Sequence, residues 1–130
     1  MNLNQITIPS LNLINAIAFY QKLGMKLIVN SLPRYARFQC PDGNSTFSIH
    51  EVDVLPVGEG IWIYFECENL DEFVNKLIVK GISFDELPND KPWLWREARI
   101  KDPDQNTLIL YLAFEGLFYM LKRYFKYKKY

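Results

Sequence analysis

The sequence predicts an α+β fold in which two βαβββ modules form one open, barrel-like curved sheet with the helices outside. Three observations predict it: an internal repeat, a helical pattern at the same place in each copy, and three strand patterns after each helix. Asn12 and Gly24 in the first copy correspond to Asn69 and Gly81 in the second, 57 positions later. Two such modules, paired, leave a concave sheet face, which is a common place for a ligand.

The first module begins with an alternating strand around Ile6 and Ile8, followed by a helix that Asn12 caps. Gly24 stands where the end of a helix favours a left-handed residue. The helix presents one apolar face, which consists of Leu13, Ile17 and Tyr20, with Ile14 as an optional fourth member. Turn signals then separate three predicted strands, at residues 25–31, 34–40 and 45–52.

The second module repeats this order. Its helix carries an apolar face made of Leu70, Phe73, Val74, Leu77 and Ile78. Strands are predicted at residues 82–86, 93–101 and 107–114, with turns at Pro88-Asn89-Asp90 and at residues 102–106. We therefore expect one domain over residues 1–114, built from modules 1–52 and 60–114 with a linker at 53–59. A basic amphipathic helix is expected over residues 115–130.

The amino-acid composition limits which kinds of partner and which compartment we expect for this protein. With 49% hydrophobic residues the chain can bury a core, and 15 basic against 15 acidic residues make a nucleic-acid partner unexpected. The sequence shows no secretory leader and no long apolar run, which predicts a cytoplasmic protein. Cys40 and Cys67 are interpreted as buried free thiols. The basic tail could touch an anionic membrane, but packing on the body or on a second subunit is the favoured interpretation.

Two short motifs, in this order and within this repeat, carry a resemblance to a known family. They are the run from Ala18 to Gly24, Ala-Phe-Tyr-Gln-Lys-Leu-Gly, and the turn Asp102-Pro103-Asp104-Gln105-Asn106. The chain resembles the vicinal oxygen chelate superfamily of glyoxalases, bleomycin-resistance proteins and dioxygenases over roughly residues 2–113. The resemblance implies the paired-module fold and a homodimer.

The resemblance also implies where a metal would be held. Metal-dependent members place His or Glu near the start of the first strand and in the last strand of each module. The corresponding positions here are Gln5, Ser48, Trp62 and Ile109. None of these is a good ligand for a divalent cation, since neither an indole nor an alkyl group offers a lone pair. We therefore expect no metal site and no cofactor.

Strand alternation then predicts which side chains line the concave face. For the strand at residues 93–99 it favours the side that carries Trp95, Glu97 and Arg99, and the opposite side, with Arg96 and Ala98, remains the alternative. Aromatic rings and arginines dominate it, a combination that suits a small planar or anionic molecule. The predicted ligand-binding residues are Gln5, Arg37, Ser48, His50, Trp62, Tyr64, Trp95, Arg99 and Tyr111. The competing interpretation is that these aromatic residues belong to a packed core or a dimer interface.

Whether the chain catalyses a reaction is left open by the sequence. The main expectation is a metal-free small-molecule-binding protein. The alternatives are a lyase or dioxygenase with unusual metal ligands, or a metal-free acid–base enzyme that uses His50 and Glu97, two residue types that exchange protons near neutral pH.

Overall fold

The computed structural model of the chain describes residues 1–113. They divide into two compact units. The first comprises Met1–Ile61 with Lys101–Thr107, and the second comprises Trp62–Ile100 with the described residues from Leu108 onward. Each unit contains one βαβββ module, so the α+β fold with two such modules is confirmed. The predicted tail helix at 115–130 lies outside the described residues.

The first module forms a mixed four-stranded sheet with one helix. Its elements are β1 (Gln5–Ser10), α1 (Leu13–Lys22), β2 (Lys26–Ser31), β3 (Tyr35–Gln39) and β4 (Thr46–Glu51). The strand order is β1-β4-β3-β2, with β1 parallel to β4 and the other neighbours antiparallel. One sheet face buries Ala36, Phe38, Phe47 and Ile49, and Tyr20 of α1 packs its ring 4.6 Å from that of Phe47. The opposite face is therefore left for polar side chains.

The second module repeats this arrangement. Its elements are β5 (Trp62–Glu66), α2 (Leu70–Val79), β6 (Glu86–Asp90), β7 (Trp95–Lys101) and β8 (Thr107–Ala113), with the strand order β5-β8-β7-β6. Alternate strand residues are buried with the apolar side of α2; they include Ile63, Ala98, Ile100, Leu108 and Leu110. At the start of α2, Asp71 accepts two hydrogen bonds from Arg96 of β7, at 2.8 and 2.9 Å, which ties the helix to the sheet.

Both helices begin and end where the repeat places them. Asn12 caps α1 by accepting a hydrogen bond from the Asn15 backbone N–H, and Asn69 precedes α2 without such a bond. Gly24 and Gly81 follow the helices with φ of +94° and +93°, a conformation that glycine adopts without strain. The predicted apolar faces need a correction at their margins: Ile14 and Ile78 are exposed, because each lies at the edge of a buried stripe that is already filled.

The strand prediction at residues 82–86 is wrong, and so is the turn at Pro88-Asn89-Asp90. The structure has β6 at Glu86–Asp90 instead. β6 is the edge strand of its sheet, and its pairing with β7 shifts register between Glu86 and Asn89. An edge strand with a bulge tolerates proline, which lacks the N–H that a central strand would need.

Within the first unit, the Asp102–Asn106 turn is hydrogen-bonded to α1 and to the backbone just before that helix. The buried Asp102 carboxylate accepts hydrogen bonds from the Tyr20 hydroxyl at 2.6 Å, from the Asn106 amide group at 2.8 Å, and from the backbone N–H groups of Asp104 and Asn106. Asp104 in turn accepts from the Leu11 backbone N–H at 2.8 Å. This motif is therefore a structural connection between a turn and α1.

The repeat also relates the two tight turns. Gly43 in the first turn has a φ of +77°, and Gln105 occupies the corresponding place in the second with a φ of +67°. A side chain in this left-handed region costs free energy that glycine avoids. The second turn therefore keeps the backbone shape of the first at some cost in strain.

The cysteines and the helix lengths bear on two expectations about where the protein is located. Cys40 and Cys67 form no disulfide, but both are half-buried rather than buried, since they lie at or just beyond strand ends. Burial raises the pKa of the Cys40 thiol. In the described part of the chain both helices are ten residues long, well short of the length that a bilayer-spanning helix needs.

Candidate functional site

The first sheet presents a polar face, which we define as Gln5, Thr7, Arg37, Thr46 and Ser48. Strand pairing aligns these residues, with Gln5 opposite Thr46, and Ser48 between Thr7 and Arg37. Their side chains form one hydrogen-bonded chain. Arg37 Nη2 donates to Thr46 Oγ1 at 3.0 Å, Thr46 Oγ1 donates to Gln5 Oε1 at 3.0 Å, and Gln5 Nε2 donates to Ser48 Oγ at 3.4 Å. Thr7 and Ser48 share a hydrogen bond of 2.6 Å.

One hydrogen-bond donor on the polar face, the Nε–H of Arg37, has no acceptor among the described residues. Arg37 Nε is buried and makes no hydrogen bond, although Nη2 of the same guanidinium is engaged. Tyr35 lies on the same side of β3, two residues before Arg37, and pairs across the sheet with His50. His50 itself is exposed at the end of β4. The structure therefore brings Gln5, Arg37 and Ser48 together and leaves His50 at the margin of this group.

The second sheet presents an aromatic face, which we define as Trp62, Tyr64, Trp95, Arg99 and Tyr111. Trp95 and Tyr111 stack with ring centres 4.4 Å apart and planes 20° from parallel. Tyr64 meets both rings edge-on, at 6.0 and 5.8 Å. The guanidinium of Arg99 lies over the Trp62 ring at 4.6 Å, within the range of a cation–π contact.

This face is accessible to solvent. Trp62 is 44% exposed and Tyr64 is 42% exposed, values that are high for aromatic residues in a sheet. Ile109, on the central strand β8, is fully buried. The exposed aromatic surface is therefore contributed by the outer strand β5 and by the side chains stacked beside it.

Arg99 is only partly neutralised. Its Nε lies 3.6 Å from Glu86 Oε2, which is too long for a hydrogen bond, and that nitrogen is buried without a hydrogen-bond partner. Glu86 also accepts hydrogen bonds from Lys91 and Asn89, and these bonds, with the charges of Lys91 and Arg99, hold its pKa below its ordinary value. Arg99 is therefore close enough to Glu86 for an ion pair, but its Nε has no hydrogen-bond partner among the described residues.

Glu97 is the most deeply buried charged residue of the second sheet. It is 0% exposed, and its Oε2 accepts a hydrogen bond from the Trp93 indole N–H at 2.5 Å. Its Oε1 is buried and has no hydrogen-bond partner. Sequence reasoning named Glu97 as a candidate acid or base, but it did not identify Trp93 as its partner, because that contact depends on the turn before β7.

The positions that would hold a metal do not fit one. Gln5 is hydrogen-bonded to Ser48 and Thr46, and Ser48 also to Thr7, close to the cationic Arg37. Trp62 carries the Arg99 guanidinium on its ring, and Ile109 has no lone pair to donate. Within residues 1–113, no three or more side chains of His, Cys, Asp or Glu form a group suited to a metal ion.

A separate depression lies at the start of α1. It has a volume of about 240 Å³ and is lined by Leu11, Asn12, Leu13, Ile14, Leu32, Pro33 and Glu51. None of the residues predicted to bind a ligand contributes to it. Sequence reasoning missed this depression, since its exposed leucines and Ile14 look like ordinary helix and turn residues.

Comparison with known proteins gives one family match and many structural matches. A family profile described as Glyoxalase/Bleomycin resistance protein/Dioxygenase superfamily matches residues 2–110. No curated protein sequence matches the chain. Among solved structures, a glyoxalase/bleomycin resistance protein/dioxygenase from Nocardioides is 22% identical with a TM-score of 0.73, covering 89% of this chain and 85% of that one.

Two further structures carry more specific names. A lactoylglutathione lyase from Agrobacterium tumefaciens is 17% identical with a TM-score of 0.72, over 85% of this chain and 92% of that one. A bleomycin-binding protein, solved in complex with bleomycin, is 20% identical with a TM-score of 0.70, over 87% of this chain and 98% of that one. At these identities the similarity concerns the fold.

Proposed function

The chain belongs to the Glyoxalase/Bleomycin resistance protein/Dioxygenase superfamily, and we propose that it binds a small planar molecule with an anionic group, without a metal. The observation that carries this proposal is the Arg99 guanidinium, which lies 4.6 Å from the exposed Trp62 ring with a buried, unpaired Nε. A flat ligand covers the aromatic rings, and its anionic group accepts from Arg99.

The bleomycin-binding protein of the same fold supports the ligand-binding part of this proposal, because it was solved with a small molecule bound. The poor donor set at Gln5, Ser48, Trp62 and Ile109 supports the metal-free part. Gln5, Arg37 and Ser48 of the polar face are proposed as further ligand contacts, since Arg37 Nε is a second unpaired donor. His50 is proposed as a contact at the exposed margin of that face.

The test uses naphthoate, a planar aromatic carboxylate, and measures its affinity by calorimetry for the full chain and for single variants. Arg99→Ala should weaken binding about ten- to a hundredfold, because it removes a charge-assisted hydrogen bond of about 1.5–3 kcal/mol. Trp62→Ala should weaken it about tenfold, because it removes the ring that stacks on the ligand and positions Arg99.

The matched control is Arg34→Ala, since Arg34 is exposed in the turn before β3 and forms no side-chain ion pair with another described residue. It should bind naphthoate as the parent does. If Arg99→Ala and Trp62→Ala also bind as tightly as the parent, the aromatic face is not the binding site. A packed interface would then be the better interpretation of its exposed rings.

We further propose that the protein is a cytoplasmic homodimer. The absence of a disulfide between Cys40 and Cys67 supports a reducing compartment. The exposed apolar side chains of the described residues, among them Val54, Val57 and Trp93, support a second copy of the chain as a partner.

A further inference from the structure

We propose that the ligand of the aromatic face also carries a hydrogen-bond donor, and that Glu97 Oε1 accepts from it. The inference rests on the proposed function and adds to it: the ligand is bifunctional, with an anionic or acceptor group for Arg99 and an O–H or N–H group for Glu97. Its starting point is a buried carboxylate oxygen that makes no hydrogen bond to any residue in the described part of the chain.

The donors around Glu97 are committed elsewhere. The Trp93 indole N–H donates to the other carboxylate oxygen, Oε2. Asn89, which lies opposite Glu97 in the sheet, donates its side-chain amide to Glu86 Oε1 at 2.6 Å. Arg99 lies beside Glu86, with Nε 3.6 Å from Glu86 Oε2, and makes no hydrogen bond to Glu97. Glu97 Oε1 therefore accepts no hydrogen bond from the described residues of the second unit.

A buried carboxylate oxygen without a hydrogen bond destabilises a folded protein, so we expect such a group to have a functional role that offsets this cost. Glu97 lies between Trp95 and Arg99 on β7, and alternate residues of a strand point to the same face. Glu97 therefore belongs to the same side of the sheet as the stacked rings. A donor on the ligand would satisfy Oε1 at the moment of binding.

Strand geometry sets the spacing of the two recognition groups. Glu97 and Arg99 are two residues apart, which places their Cα atoms about 7 Å from each other. A ring with an acceptor at one end and a donor at the other matches this spacing. Trp93, whose indole N–H donates to Glu97 Oε2, is 53% exposed, whereas Glu97 is 0% exposed, so a ligand reaches Oε1 only when the side chains that cover it move.

The experiment compares hydroxy acids with their methyl ethers, which keep the ring and the carboxylate but lose the donor. The pairs are para-hydroxybenzoate with para-methoxybenzoate, and hydroxynaphthoate with methoxynaphthoate, titrated into the full-length protein by calorimetry. For the better-fitting pair, the hydroxy acid should bind about ten- to a hundredfold more tightly, as expected for a hydrogen bond to a charged acceptor.

Glu97→Gln tests the assignment to Glu97, because it keeps the size of the side chain and can keep the bond from Trp93. It should abolish the advantage of the hydroxy acid and leave the affinity for the methoxy acid within about threefold. Glu72→Gln is the matched control, since Glu72 is exposed on α2 and pairs with Lys76. It should preserve the advantage in full.

The outcomes separate the two proposals. If hydroxy and methoxy acids of both pairs bind the parent protein equally, the inference about Glu97 is wrong and the proposed function stands. An advantage that survives in Glu97→Gln also contradicts the inference. If none of the four acids binds at millimolar concentration, both the inference and the proposed function are overturned.

Discussion

The Tyr20 hydroxyl offers a sharp test of how the Asp102–Asn106 turn is held to α1 within the first unit. Tyr20 is 0% exposed, and its hydroxyl donates to Asp102 Oδ2 at 2.6 Å. Tyr20→Phe removes only the hydroxyl, so the ring keeps its contacts with Phe38 and Phe47. Asp102 Oδ2 keeps one donor, the Asn106 side-chain amide at 2.8 Å. The loss is therefore one hydrogen bond to a carboxylate, with no large cavity.

A hydrogen bond to a charged group contributes about 1.5–3 kcal/mol, and the remaining partner of Asp102 favours the lower half of this range. We expect Tyr20→Phe to lower the free energy of unfolding by about 2 kcal/mol. For a chain of this length the melting temperature should fall by roughly 6–8 °C. Urea denaturation and thermal melting measure these quantities. Tyr35→Phe is the matched control, because Tyr35 is half-buried on β3 and its hydroxyl makes no hydrogen bond within residues 1–113.

The difference in stability between the parent protein and Tyr20→Phe should also depend on pH in the alkaline range. Burial, and then the charge of Asp102 and the hydrogen bond to it, raise the pKa of Tyr20 well above its ordinary value of 10.0. A raised pKa in the folded state gives stability that is present below pH 10 and is lost above it, as the unfolded chain ionises first. The difference between parent and Tyr20→Phe should shrink by about 1.4 kcal/mol per pH unit above pH 10. Equal stability at pH 7, or a difference that grows at alkaline pH, would refute the reasoning.

Four further predictions concern separate features. Trp93→Phe should lower the free energy of unfolding by about 1–3 kcal/mol in urea, since it leaves both oxygens of Glu97 unpaired; an unchanged midpoint would contradict this contact. Gln105→Gly should raise stability by about 0.5–1 kcal/mol, because φ is +67° there; a destabilised variant would show that the turn is unstrained. Calorimetry with nickel, zinc, manganese and iron(II) should show no tight one-to-one binding, and a submicromolar stoichiometric isotherm would mean that the ligand positions are misassigned. Light scattering should give the mass of a dimer, and truncation after residue 114 should weaken that dimer; a monomer mass at all micromolar concentrations would contradict the homodimer.

Much of the fold could be predicted because the two modules constrain each other. The 57-residue offset that relates Asn12 to Asn69 also relates the first residues of β1 and β5, Gln5 and Trp62. The helix ends could be predicted from Gly24 and Gly81, because the left-handed backbone position that follows many helices favours glycine. The strand at Glu86–Asp90 could not be predicted, because its turn-forming residues are tolerated only at a bulged sheet edge.

The candidate site was predictable to the level of strand faces. Alternation groups Trp95 with Arg99, and the structure places both beside the other aromatic residues of the second sheet. The partners of individual groups were beyond the sequence. Glu86 reaches Arg99 only through the shifted register of β6, and Trp93 reaches Glu97 only through the shape of the turn before β7. Which of several neighbouring groups a side chain contacts depends on distances of a few tenths of an ångström, and residue patterns do not encode such distances.

The most direct test of the central claim is an NMR titration that follows the indole N–H signals of the three tryptophans, Trp62, Trp93 and Trp95, which all lie in the second unit. Substitution of each by Phe assigns its signal, and hydroxynaphthoate is the titrant. If the ligand binds on the aromatic face, the Trp62 and Trp95 signals shift together and saturate with one dissociation constant. Binding that leaves all three indole signals in place, and instead shifts backbone amides around the depression at Leu11–Ile14, would contradict binding on that face.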